Sequence, residues 1–163
     1  MQTDSTAKLW ELIKDIKFGM FTAHHANGHL HSRPMTTLNR DEQGGVLWFF
    51  MSKSGDPVMD IESVPDVNVS YSNPSRDEYV SVSGSARLVN DPAKKSELWN
   101  PLYKAWFKGG ANDPDLGLVA VTINHAEYWD VKTNTATKIF EMAKAAVTNA
   151  QPNLGEHGQV RMR

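Results

Sequence analysis

The sequence contains no cysteine and no long apolar run, and its charges nearly cancel. Without cysteine, the chain has no disulfide, no thiolate metal ligand and no cysteine nucleophile. No apolar stretch approaches the roughly 20 residues that a membrane-spanning helix needs, and the polar N-terminus lacks the layout of a secretory signal. With 17 basic and 19 acidic side chains, the net charge of −2 gives no electrostatic argument for nucleic-acid binding. These absences predict a soluble cytoplasmic protein.

The chain has 163 residues, of which 40% are hydrophobic, and this is enough for one domain with a real core. The patterns predict, in order, a helix, three strands, a helix, two strands, a helix, two strands and a last helix. Because hairpins join most of the strands, we predict an α+β fold, an antiparallel barrel with peripheral helices. The domain is predicted over residues 1–148. Residues 149–163 lack periodicity and predict a disordered tail.

The central element is predicted to be a long β-hairpin. Its arms are Leu30 to Leu38 and Val46 to Ser52, joined by a polar turn at Asp41 to Gly45. Arg33 lies on the first arm, and the polar stretch Ser52 to Gly55 ends the second. If the arms pair, these groups converge near one edge and form a cradle for a phosphate beside a flat aromatic ligand.

Later elements follow from local patterns. Gly84 inside the predicted strand Tyr79 to Val89 indicates a bulge or bend. Leu116 to Ile123 and Glu127 to Val131 are predicted as separate strands, because Asn124 and His125 interrupt the apolar pattern between them. The last helix, from about Thr135 to Thr148, is predicted to bury four apolar side chains, Ile139, Phe140, Met142 and Val147.

Histidines cluster around Asn27-Gly28, the strongest short hairpin signal in the chain. A loop of these two residues alone would place His24 opposite His31. Two imidazoles on one face are candidate ligands for zinc or copper, but a site needs a third ligand and an outer shell, and the hairpin contains no carboxylate. We therefore predict a surface histidine pair and no metal site.

Several passages together indicate a known family. They span about residues 5 to 133 and comprise Ser32–Met35, Leu47–Phe50, Val80–Ala86, the loop Asn112–Pro114, and Ala105–Phe107 with Tyr128–Asp130. In this order and spacing, the sequence resembles the general stress protein 26 family, within the pyridoxamine 5′-phosphate oxidase-like FMN-binding split barrels. The resemblance implies a six-stranded antiparallel split barrel that forms a homodimer, with FMN at the interface between subunits.

The resemblance also implies which residues contact the flavin. One departure from the family concerns the helix after the second arm, where relatives often have a phosphate-binding lysine and this chain has Asp56-Pro57. Lys53, Arg33 and the amides of the helix N-terminus are then expected to supply the positive charge. The implied contacts come from the first arm, the second arm and the partner subunit, and they are Arg33, Met35, Thr36 and Thr37, then Phe50, Met51, Ser52 and Lys53, then Trp106 and Trp129.

The expected function is that of an FMN-binding stress-type flavoprotein. If it is an enzyme, it is a flavin-dependent oxidoreductase acting on a small substrate, with no catalytic residue evident from the sequence. A non-enzymatic flavin carrier is an alternative, and so is a split barrel that binds another planar ligand such as haem. Neighbouring strand residues face opposite ways, so either Phe49 or Phe50 touches the ligand, but not both.

Overall fold

The computed structural model describes residues 2–39, 44–131, 135–153 and 155–162. Within them lie four helices, α1 (Gln2–Ile16), α2 (Asp56–Ser63), α3 (Pro92–Leu98) and α4 (Thr135–Thr148). The strands are β1 (Phe18–His24), β2 (Leu30–Thr36), β3 (Val46–Ser52), β4 (Asp66–Asn73), β5 (Glu78–Val89), β6 (Leu116–Asp130) and β7 (Glu156–Arg161).

One antiparallel sheet with the strand order β2-β1-β4-β5-β6-β3 curls into a half-barrel, and β7 pairs with β6 beyond this path. The predicted α+β split barrel is therefore confirmed. Alternate residues of β1 and β3 point inward, where Phe21 and Phe49 meet edge to face at 5.6 Å between ring centroids. The apolar face of α1, with Leu9, Leu12 and Ile13, packs against the same core.

The predicted long hairpin is wrong. β2 pairs with β1 and β3 pairs with β6, so the two arms lie at opposite ends of the sheet. They meet only at a seam: Leu38 N donates to Trp48 O at 2.9 Å, and the Asn39 side chain bonds Val46 O and Trp48 N at 2.7 and 2.8 Å. Positions 41–43 of the predicted turn lie outside the described residues.

The bulge at Gly84 is confirmed, and it corrects the prediction of two strands after it. The β5–β6 register shifts between Ser83 and Gly84, so that Ser83 faces His125 while Gly84 faces Ile123. Asn124 is therefore the extra residue of a bulge inside one continuous strand, β6. A Cβ at Gly84 would lie 2.3 Å from Thr122 O, which explains why glycine occupies the position.

The predicted register of the first hairpin is off by one. His25 N donates to His29 O at 2.9 Å, so both histidines flank a loop wider than two residues. As a result His24 faces Leu30 and Ala23 faces His31. The imidazole that meets His31 is that of His25, with the ring centroids 5.7 Å apart.

Two predictions near the C-terminus are also wrong. Residues 156–161, expected to be disordered, form β7 against the second half of β6. The apolar side chains expected to be buried by α4 are instead 60–86% exposed, since no described element of the chain covers them: Ile139, Phe140, Met142 and Val147. Among the described residues, no helix has the length and apolar character needed to span a membrane.

Candidate functional site

The loop between β3 and α2 gathers hydrogen-bond donors around one carboxylate. Ser52 Oγ donates to Asp115 Oδ2 at 2.5 Å, and Ser54 donates to Asp115 Oδ1 through its backbone N at 3.0 Å and its Oγ at 2.9 Å. These hydrogen bonds, that of the Ser52 hydroxyl foremost, lower the pKa of the Asp115 carboxyl below its usual range. We call Ser52, Ser54 and their shared acceptor the anion cradle.

The anion cradle lies where sequence and backbone geometry favour negative charge. Gly55 caps α2 without a side-chain hydrogen bond, and Pro57 occupies the first turn, so this helix N-terminus begins directly beyond the serines. Lys53 is exposed between the serines. The Lys95 ammonium donates to Leu116 O at 2.9 Å. Burial, followed by the positive charge of Lys53, lowers the pKa of Lys95, so the two lysines lie close enough to repel each other.

Arg33 is brought to the same helix but not to the cradle. Its Nη1 and Nη2 each donate to Asp60 Oδ2 at 3.3 Å, and Nη2 also donates to His31 Nδ1 at 3.1 Å. Asp60 lies in the second turn of α2 and is only 4% exposed. The guanidinium predicted to bind phosphate is therefore paired with a buried carboxylate, an arrangement that the β2–β3 hairpin prediction did not foresee.

Three of the predicted contact residues face inward. Met35 packs against the core and Met51 is part of it. Thr37 is 2% exposed, and its hydroxyl is hydrogen-bonded to the Tyr71 hydroxyl at 2.6 Å. Burial raises the pKa of Tyr71 well above its usual range. The hydroxyl of Thr37 and the side chain of Met51 are thus closed to a ligand in this chain.

The outward faces of β2 and β3 carry the other predicted contacts. Thr36 is half-buried at the end of β2. Phe50 packs edge to face on Tyr103, with the ring centroids 5.6 Å apart, and against Trp99 at 6.1 Å. Of the two neighbouring phenylalanines, Phe49 belongs to the core and Phe50 faces outward.

The two tryptophans expected from a partner subunit are both on the surface. Trp106 follows a 3₁₀ turn over Pro101–Ala105 and is 74% exposed. Trp129 stacks on His157 of β7, with the ring planes 13° apart and the centroids at 5.3 Å.

Comparison with known proteins identifies the family. The pyridoxamine 5′-phosphate oxidase-like family model matches residues 4–153. The chain belongs to this family. It is 32% identical over 142 residues to protein bli-3 of Neurospora crassa, which covers 81% of this chain and 68% of bli-3.

The fold of this chain is similar to solved structures of general stress proteins. A general stress FMN/FAD binding protein from Xanthomonas citri is 32% identical, with a TM-score of 0.70 over 81% of this chain and 92% of the other. A Jannaschia sp. CCS1 protein assigned to general stress protein 26 is 26% identical, with a TM-score of 0.76 over 99% of this chain and 100% of the other. The expected resemblance to general stress protein 26 is confirmed.

In this pyridoxamine 5′-phosphate oxidase-like chain, the sequence patterns missed Asp115, Lys95, and the contact of Asp60 with His25 and Arg33. Asp115 is separated from Ser52 by 63 residues, and Asp60 from Arg33 by 27. Only the sheet topology brings these pairs together. The one local signal was the run Asn112 to Asp115, which precedes a strand and ends in an acidic residue.

Thr37 offers a test of which predicted contacts are structural. We expect Thr37→Val to lower the free energy of unfolding by about 1–3 kcal/mol, because it leaves the buried Tyr71 hydroxyl without its partner. The affinity for FMN should stay within about twofold, since the hydroxyl does not reach solvent. Urea unfolding and FMN titration measure the two effects. A large loss of FMN affinity with unchanged stability would contradict this assignment.

Proposed function

We propose that this chain binds FMN as a homodimeric general stress flavoprotein and uses it in the oxidoreduction of a small molecule. The observation that carries the proposal is the anion cradle. Ser52 and Ser54 direct three donors at one oxyanion beside Lys53 and a helix N-terminus, and Asp115 supplies that oxyanion in the free chain. A phosphate presents the same kind of oxygen acceptors as the Asp115 carboxylate, so the donor set fits it.

Each group has a distinct task in this proposal. Ser52, Ser54 and Lys53 hold the phosphate, and Lys95 adds a second positive charge nearby. The outward face with Phe50 offers an aromatic surface to the ring. The bound flavin supplies the hydride or electron transfer, and the protein supplies binding, orientation and exclusion of water. The presence of Asp56-Pro57 then lowers the affinity for FMN little, since Lys53 and Lys95 carry the positive charge that relatives place at the start of the helix.

Exposed apolar side chains support the proposal of a homodimer. Phe18 and Leu30 are 65% and 67% exposed on the outward face of the β1–β2 pair, and Leu102 and Trp106 are 76% and 74% exposed beyond β5. Large exposed side chains of this kind characterise surfaces that another subunit covers. A second copy would bury them and bring Trp106 towards the flavin of its partner.

The proposed phosphate contact predicts a specific loss in Lys53→Ala. We expect the Kd for FMN to rise about tenfold, because one charge-assisted contact to phosphate is removed. The Kd for riboflavin, which has the same ring and no phosphate, should not change. Quenching of flavin fluorescence measures both affinities, and light scattering on the FMN-bound sample gives the mass of the complex.

Lys144→Ala is the matched control, since it removes an exposed lysine of α4 that is far along the chain from the cradle. It should leave both affinities unchanged. An equal loss for FMN and riboflavin in Lys53→Ala would place the phosphate elsewhere. A chain that binds neither flavin would refute the proposed function.

A further inference from the structure

A polar cluster beside α2 consists of four side chains, those of His25, His31, Arg33 and Asp60. The proposed FMN site assigns no role to this cluster. His25 Nδ1 donates to Asp60 Oδ1 at 3.0 Å, and Arg33 bonds the other oxygen of the same carboxylate. His31 Nδ1 accepts from Arg33 Nη2 at 3.1 Å. The two imidazole rings are perpendicular, with the centroids 5.7 Å apart. We call these four residues the histidine cluster.

The partners of the two imidazoles determine where each ring carries its proton. A carboxylate such as that of Asp60 only accepts, so His25 carries a proton on Nδ1 and, in its neutral form, presents a bare Nε2. A guanidinium such as that of Arg33 only donates, so His31 must accept at Nδ1 and carry its proton on Nε2. With His25 neutral, the pair therefore offers one basic nitrogen and one N–H donor on two rings whose centroids lie 5.7 Å apart.

Burial separates the supporting part of the cluster from the part that meets solvent. The side chain of Asp60 is 3% exposed and that of Arg33 is 16% exposed, whereas that of His25 is 27% exposed. His31 is exposed on β2. A carboxylate that orients an imidazole whose second nitrogen stays accessible is the arrangement that general bases use.

We propose that His25 and His31 form a proton-transfer site for a substrate bearing a hydroxyl group, of the phenol class. The substrate O–H bond breaks as its proton moves to His25 Nε2, giving an imidazolium and a phenolate. Asp60 stabilises the imidazolium through Nδ1–H. The phenolate oxygen accepts from His31 Nε2–H, which Arg33 holds in the required tautomer. No electron changes hands in this step, so it is independent of the proposed flavin.

A metal ion fits the cluster less well than a hydroxyl group. With Arg33 donating to Nδ1, the Nε2 of His31 is protonated and has no lone pair for a metal. Among the described residues, no group of three histidine or acidic side chains is placed to hold one ion. An oxygen that gives one proton and accepts another satisfies both nitrogens as they stand.

The test uses 4-nitrophenol as a probe with the full-length protein, because its phenolate absorbs visible light and its phenol form does not. At a pH where the free probe is mostly protonated, binding should produce the phenolate band. In His25→Gln we expect the phenolate affinity to fall at least about tenfold, since an amide cannot take the proton. His24→Gln is the matched control: it removes a neighbouring histidine that faces Leu30, outside the cluster, and should bind like the parent.

Ring-nitrogen NMR provides a readout that does not depend on a ligand. It should show His25 protonated on Nδ1 and His31 on Nε2, and Asp60→Asn should disturb the first assignment only. His31→Gln should weaken phenolate binding while leaving the His25 tautomer intact, which keeps the proposal testable if Asp60→Asn unfolds. Binding without a phenolate band, equal losses in the His24 and His25 variants, or reversed tautomers would overturn the proposal. Repeating the titration with and without FMN separates its failure from a failure to bind flavin.

Discussion

Asp115→Asn should bind FMN about 10- to 100-fold more tightly than the parent chain. In the free chain, the Asp115 carboxylate occupies the three donors of Ser52 and Ser54 that the proposal assigns to the phosphate. A phosphate must displace this carboxylate and approach its negative charge. Asparagine is nearly the same size but carries no charge. The free energy needed to displace the side chain and the electrostatic repulsion of the phosphate therefore both fall. Titration of FMN fluorescence at fixed ionic strength gives the two affinities.

Asp113→Asn is the control for this experiment. Asp113 lies two residues away and accepts from Gly109 N and Asp115 N, so the variant removes a nearby charge without touching the serines. We expect its affinity for FMN to change by less than about threefold. Weaker FMN binding in Asp115→Asn would mean that the carboxylate holds the loop in its binding shape and does not compete with the phosphate.

Phe49→Ala should lower the free energy of unfolding by about 3–5 kcal/mol, the largest stability effect that we expect. Phe49 is fully buried and packs edge to face on Phe21 across the core. Its removal loses apolar burial and leaves a cavity that the hydrogen-bonded strands of the sheet cannot readily fill. Urea unfolding followed by circular dichroism measures the change, and the FMN affinity of the folded fraction should be unaffected.

Phe50→Ala is the matched comparison, because the same residue type is deleted one position along the strand. Its ring is half-buried against Trp99 and Tyr103. We therefore expect a smaller stability loss, of about 1–2 kcal/mol. If the outward face meets the flavin, FMN affinity should also fall, by about 3- to 10-fold. The reverse ranking of the two stabilities would show that the faces of β3 are assigned the wrong way round.

Local patterns predicted the elements well where a residue acts on its own neighbours. Aspartate followed by proline is a common helix start, and Asp91 indeed accepts from Lys94 N as the N-cap of α3, with Pro92 in the first turn. Gly84 marks the bulge because its missing Cβ makes room for Thr122 O. Each of these features is fixed within a few residues or by one strand neighbour, and the sequence alone displays it.

Those local patterns did not show which strands pair with each other in the sheet. The first arm of the predicted long hairpin mixes polar and apolar residues and the second is mostly apolar. Nothing in either arm shows that the true partners are β1 and β6. The error carried into the site, since Arg33 was placed with Ser52 when it in fact pairs with Asp60. A single additional loop residue likewise shifts the register, so that Ala23 lies opposite His31 and the ring of His25, not that of His24, approaches it. This shift hid the histidine cluster.

Pro34 lies within β2, the strand at one end of the sheet. A proline has no N–H to donate, and it is tolerated in a sheet where that position faces away from the partner strand. The free side of β2 therefore lacks one of the donors that a foreign strand would need in order to extend the sheet. At its other end the sheet runs to β3, where Asn39 already engages the backbone of Val46 and Trp48. The same proline that marks the family passage Ser32–Met35 thus also protects the folded chain against aggregation through its open edge.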